Sequence, residues 1–138
     1  MLRLYNTLTR TKERFAPREP GTVRFFTCGP SIYQPPHLGN YRTFLYEDVL
    51  HRYLQYLGYR VERVLPFTDV EDKAFAEAEH LGVSLRGLTD RVAARFHDES
   101  RVLRIHPPTY NPRSSTTVDE AVRIIQVLLE KGSAYRDG

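Results

Sequence analysis

One cysteine occurs in the 138 residues, Cys28, and nine positions later His37-Leu38-Gly39-Asn40 opens a long amphipathic stretch. These residue types can do chemistry. The first amides of a helix are unpaired and its dipole favours anions, so a helix opening after a strand and a loop can cradle a phosphate group. Gly39 carries no Cβ where the flat face of a ligand could approach the backbone. His37 can donate to a phosphoryl oxygen as negative charge develops, and Asn40 offers an amide beside it. Four residues of this kind also describe an ordinary capped helix start. A lone thiol reads either as a small buried hydrophobe or as a metal ligand.

The second candidate group is Thr68-Asp69-Val70-Glu71-Asp72-Lys73, directly after a strand-like run. In open α/β sheets that is the edge where ligands bind. The same residues equally suit a helix cap, with Thr68 or Asp69 capping and Glu71 and Asp72 complementing the dipole. Tyr33 reads as a pocket wall or as a core aromatic. His51, His80, His97 and His106 have no metal-like spacing to Cys28 and read as packing or solvent residues.

The elements that must position these groups follow from periodicity. Thr22 to Cys28 is β-branched and aromatic, a strand expected to be buried on both faces. Gly29 to Pro36 holds three prolines and reads as a loop. Leu38, Leu45, Val49, Leu50, Tyr53, Leu54 and Leu57 recur at helical spacing and predict one buried stripe, ended by Gly58. Arg60 to Phe67 is a second strand, so residues 22–67 predict a βαβ unit with a parallel pair. Further helices are predicted over 70–81, with Phe75, Ala78 and Leu81 on one side, and from a Ser84 cap through Leu85, Leu88, Val92, Phe96 and Leu103. A last helix spans 117–131, with Val118, Val122, Ile125 and Leu129 on a stripe. Residues 1–21 mix charge and turn formers, and 106–115 (HPPTYNPRSS) read as irregular. Asp137-Gly138 after a short strand-like run is a hairpin signal without its returning strand. With two clear strands, fewer than a stable covered sheet needs, the chain reads as the N-terminal portion of something longer.

Composition sets looser bounds. Twenty Lys and Arg against 17 Asp and Glu give a net charge of +3 and a pI near 9.1, with mean hydropathy −0.48. That mild excess suits a polyanionic partner without singling one out. A single cysteine cannot form an internal disulfide and fits a reducing compartment. No stretch approaches the roughly 20 apolar residues of a membrane span, and the N-terminus lacks the apolar middle of a signal peptide. A cytoplasmic location without membrane attachment is the expectation.

Taken together, LYNTLTRTKERFAP (4–17), CGPSIYQPPHLGNYRTF (28–44), RYLQYLGYRVERVLPFTDVEDK (52–73), PPTYNPRSS (107–115) and EKGSAY (130–135) resemble, in order and spacing, the N-terminal catalytic portion of cysteinyl-tRNA synthetases, a class I family. The resemblance implies an α/β fold, a Rossmann-like class I synthetase catalytic domain with a parallel sheet. Residues 1–138 would be its incomplete N-terminal part, with a following insertion beginning near 110–138. It implies ATP-dependent activation of cysteine and transfer to tRNA(Cys), with ATP and Mg²⁺ as substrate and Zn²⁺ as cofactor. His37 and Asn40 would be catalytic, and His37, Gly39 and Asn40 would bind ATP. Gly29, Tyr33, Thr68 and Asp69 would bind substrate cysteine. Cys28 would be a zinc ligand, the other ligands and a lysine-rich loop lying beyond Gly138. Zinc favours thiolate over hydroxyl, so a site built on it can separate cysteine from serine. The complete protein would be a monomer, and the 138 residues alone are expected not to activate cysteine.

Gln34-Pro35-Pro36, Glu71 and Ser114–Thr117 depart from that family's usual residues. Two other readings stand beside the first. One is a related ligase that delivers cysteine to an amino-sugar amine, as in the mycothiol pathway. The other is a non-catalytic paralogue that binds a nucleotide or a protein partner.

Overall fold

The computed structural model describes residues 2–137. Its centre is the βαβ unit: β3 (Thr22–Phe26), α1 (Leu38–Tyr56) and β4 (Arg60–Val64). β3 and β4 pair in parallel, Thr22 opposite Arg60 and Phe26 opposite Val64. Residues 3–14, read as turn and charge, instead form an antiparallel hairpin of β1 (Arg3–Asn6) and β2 (Thr11–Arg14). Four-residue strands with mostly exposed side chains leave no alternation for a sequence pattern to reveal.

The segment read as irregular supplies a third parallel line beside β4. Tyr110 bridges Val64 and Arg113 bridges Phe67. Leu65 N–H donates to the Tyr110 carbonyl at 3.0 Å and Phe67 N–H to the Pro112 carbonyl at 2.8 Å. Pro112 has no N–H, but this position needs only its C=O, so the proline costs the ladder nothing here. The proline-rich composition concealed the strand.

β3 is not buried on both faces. Val23 is buried while Phe26 is 70% exposed, because no layer of the described chain covers the Arg24–Phe26 side. The parallel pair is in place; the expected double burial is not.

α1 begins and ends where the periodicity places it, yet a different face is inside. The buried residues are Tyr41, Phe44, Asp48, His51 and Leu54, whereas Leu38 is 84% exposed and Val49, Tyr53 and Leu57 are also exposed. Positions 41, 44, 48, 51 and 54 keep the 3–4 spacing of one face. Two of them are polar, so the apolar count pointed elsewhere.

α2 (Asp72–His80) and α3 (Leu85–Val102) pack on each other, and α4 (Val118–Glu130) follows. α2 buries Ala74 and Ala78 while Phe75 and Leu81 face out, so the expected Phe75 side is the wrong one. α3 matches its prediction: Leu88, Val92 and Phe96 are buried, and Ser84 Oγ accepts the Gly87 N–H at 3.1 Å. Leu103 is exposed. The stripe on α4 exists but buries no residue within the described chain. Residues 133–137 form no strand, and Gly138, the end of the expected hairpin signal, lies outside the described residues.

The core joins these helices to the sheet through aromatic rings. Phe96 of α3 meets Phe44 at 5.3 Å and Phe67 at 5.4 Å edge-on, and stacks on Tyr41 at 6.0 Å. Edge-to-face pairs of this kind add about 1 kcal/mol each beyond the area they bury. Ile32, Leu65, Leu88 and Val92 complete the cluster. The Tyr41 hydroxyl donates to Glu99 at 2.6 Å, fastening the first turns of α1 to α3.

Candidate functional site

A cleft of about 500 Å³ opens at the C-terminal end of β3, between the 28–36 loop and the start of α1. Cys28, Gly29, Tyr33, His37 and Asn40 all line it, so one place collects five of the residues singled out from sequence. Ligand clefts at the carboxyl ends of parallel strands are a general property of open α/β sheets.

Two constraints hold the loop in place. Thr68 N–H donates to the Pro30 carbonyl at 3.2 Å and the Thr68 carbonyl accepts the Ile32 N–H at 3.0 Å, so the loop is stitched to the chain leaving β4. Gly29 permits the approach: a Cβ there would stand 1.5 Å from the Pro66 carbonyl oxygen. Any other residue would force the two segments apart. Cys28, next in line, is exposed, with Sγ 3.8 Å from the Gly29 carbonyl.

His37 is the N-cap of α1. Its Nδ1 accepts the Gly39 N–H at 3.0 Å, and its own N–H donates to Asn40 Oδ1 at 3.0 Å, a reciprocal capping pair. An Nδ1 that accepts leaves the ring proton on Nε2, so the free end of the imidazole is a donor. A Cβ on Gly39 would lie 2.8 Å from His37 Cε1, so glycine is what lets the ring fold back onto the helix mouth. The first turn, Leu38–Asn40, carries no acidic residue. The arrangement favours an anion at this end of α1.

Lys73 was not assigned a role from sequence, though it closes the 68–73 motif. Its Nζ lies 5.8 Å from the centre of the Tyr33 ring, over its face, and it lines the cleft. Among the described residues it is the one Lys or Arg that does so. Thr43, one turn into α1, also lines the cleft, and nothing in its spacing marked it.

Thr68 and Asp69 are placed otherwise. Thr68 serves the loop through its backbone and is not a lining residue of the cleft. Asp69 is 4% exposed and turned away: Oδ1 accepts the Ser115 N–H at 2.8 Å and Oδ2 the Ser115 hydroxyl at 2.5 Å. It borders a separate pocket with Arg86, Asp90 and Arg113.

The described residues bring no group of three or more His, Cys, Asp or Glu together in a metal-binding arrangement. Cys28 is a single soft donor open to the cleft. By itself this donor set does not make a zinc site, and no chemical step here runs through a metal.

Comparison with known proteins agrees with this geometry. The family model described as the class I (C) tRNA synthetase catalytic domain matches residues 14–138. A cysteine–tRNA ligase of Methanosarcina mazei is 45% identical over all 138 residues, which cover 29% of that relative. Those of Thermotoga maritima and Staphylococcus aureus are 44% identical over 135 residues and 41% identical over 138, covering 29% and 30% of their lengths. The chain thus spans under a third of the length of these relatives. By the extent of the family match, the chain belongs to the class I (C) tRNA synthetase catalytic-domain family.

Proposed function

We propose that the protein carrying this chain is a cysteine–tRNA ligase. It would activate L-cysteine with ATP and pass the cysteinyl group to tRNA(Cys). The observation that carries this reading is the shared cleft, where a thiol and a helix mouth with a donor-only imidazole face the same space. Residues 1–138 would form the N-terminal part of the nucleotide-binding domain, with the insertion starting within 110–138.

In the first step the cysteine carboxylate attacks the α-phosphorus of ATP, and pyrophosphate leaves with the electron pair of the broken bond. There is little covalent work for a protein in such a transfer; orientation and charge stabilisation carry it. His37 Nε2–H donates to the phosphate oxygens as charge develops. Asn40 holds His37 in position and presents its amide beside them. Gly39 keeps the helix mouth open, and the Lys73 ammonium supplies the positive charge on the opposite side. Tyr33 and the backbone at Gly29 wall the cysteine. Thr68 fixes the loop beneath it, and Asp69 supports that wall from behind.

Zn²⁺ would supply a thiolate-selective contact for the substrate sulfur, with Cys28 as one of its donors and the rest outside the described residues. ATP would enter with Mg²⁺. Cytoplasmic location and a monomeric state complete the proposal; among the described residues no helix is long and apolar enough to cross a membrane.

The test is cysteine-dependent ATP–pyrophosphate exchange by the full-length protein, with serine as the control. Exchange with cysteine, reduced by about 10²-fold or more in His37→Ala, is the expected result. Absence of exchange in the folded wild-type protein overturns the reading. Zinc content, measured separately, should fall in Cys28→Ser.

A further inference from the structure

Behind the sheet, between β4, the C-terminal half of α3 and residues 105–108, lies a second cavity of about 260 Å³. It shares no lining residue with the cleft. Much of its wall is apolar, with Leu65, Phe96 and Pro107 among the residues that line it. Arg63, also a lining residue, is only 1% exposed. Its Nη2 donates to the His106 carbonyl at 3.2 Å, while Nε and Nη1 have no hydrogen-bond partner among the described residues. The buried hydroxyl of Ser100, on the facing helix, is likewise without one.

A buried guanidinium with unmade hydrogen bonds is costly, because those N–H groups have left water and received nothing in return. Two carboxylates of α1 stand near it. Asp48 is already engaged, by Arg52 Nε at 2.7 Å and by the His106 N–H at 2.8 Å. Glu47 forms no ion pair with Arg63 among the described residues, and its own Oε2 is buried without a partner. The charge of Arg63 therefore remains available to a third group.

We infer that this cavity binds a small organic carboxylate. Its charged end would take the free N–H groups of Arg63 and the Ser100 hydroxyl, and its apolar body would lie against Leu65, Phe96 and Pro107. Guanidinium suits a planar carboxylate better than any other side-chain cation. The volume, just below the usual range for ligand pockets, limits the guest to a small molecule. Nothing in this site depends on the chemistry of the cleft, and the two can fail separately.

The probe is benzoate, with benzyl alcohol as an uncharged analogue of similar shape, titrated into the full-length protein by calorimetry and followed by NMR of the His106 and His97 rings. The expected result is saturable benzoate binding that shifts those rings. Benzyl alcohol should bind about tenfold more weakly or worse, as should benzoate to Arg63→Met. Should Arg63→Met fail to fold, Ser100→Ala decides, with an expected loss of about threefold to tenfold. Absence of saturable benzoate binding overturns the inference: the charge of Arg63 is then met within the protein, through Glu47 or an internal water. Binding that survives both substitutions unchanged overturns it as well.

Discussion

The Asp69 carboxylate accepts both the backbone N–H and the hydroxyl of Ser115, 46 positions later in the chain. One buried side chain thus ties the turn after β4 to the segment that runs beside it. Removing it leaves two donors unpaired in the interior, so Asp69→Ala should cost about 2–4 kcal/mol. Asp69→Asn, which keeps one acceptor, should cost less. Urea unfolding checks both. A variant of unchanged stability with a raised KM for cysteine would instead make Asp69 a substrate contact.

Gly29→Ala should be among the most damaging single-methyl additions in this chain. The new Cβ would meet the Pro66 carbonyl oxygen, and backbone on both sides leaves no flexible atom to yield. Overpacking against rigid neighbours costs about 3 kcal/mol or more. The expected outcome is a lower thermal midpoint together with altered reactivity of the Cys28 thiol toward a water-soluble maleimide. Gly29→Ala with wild-type stability would mean that the loop is free to move away.

Stability should fall as pH drops from about 7 toward 5. Burial is the main cause that lowers the pKa of His51, helped by the charges of Arg63, His106 and Arg52 and opposed by Asp48. Burial also lowers that of His97, with Arg101 and Arg113 adding to it and Asp98 opposing. The unfolded chain then takes up protons near pH 6.5 while the folded one does not, so acid favours unfolding. Glu47 acts in the opposite sense, since burial raises its pKa and protonation suits the folded state. The comparison is therefore between variants: His51→Phe should flatten the dependence of the urea midpoint between pH 7.5 and 5.5 without abolishing it. An unaltered slope would remove His51 as a cause.

Lys73→Met tests the cation across the cleft from His37. If it faces the triphosphate, the KM for ATP should rise about tenfold with a smaller effect on kcat, and Lys73→Arg should restore part of the loss. Equal affinity for ATP in the wild type and Lys73→Met would confine the lysine to its contact with Tyr33.

Much of this architecture is legible in the residues, and the failures share a cause. The βαβ unit and the caps at His37 and Ser84 follow from local chemistry, and so does the assembly of Cys28, Tyr33, His37 and Asn40 around one cleft. The misreadings concern burial. α1 turns Asp48 and His51 inward because Arg52, His106 and Arg63 wait for them, and no count of apolar positions reveals a polar interior. The third parallel segment escaped notice because prolines mark loops except where the ladder asks only for a carbonyl. Asp69 looked like a ligand of the cleft because its neighbours in sequence lie there. The direction its side chain takes is set by Ser115, which is distant in the chain.

The fastening of His37 leaves its imidazole one-ended. The inner nitrogen is committed to the Gly39 amide, so the outer one can give a hydrogen bond but has no lone pair with which to receive a proton. Abstracting a proton at this position would first mean unhooking the start of α1. Whatever reaction proceeds beside it, this ring is restricted to steadying charge, and any base must be found elsewhere.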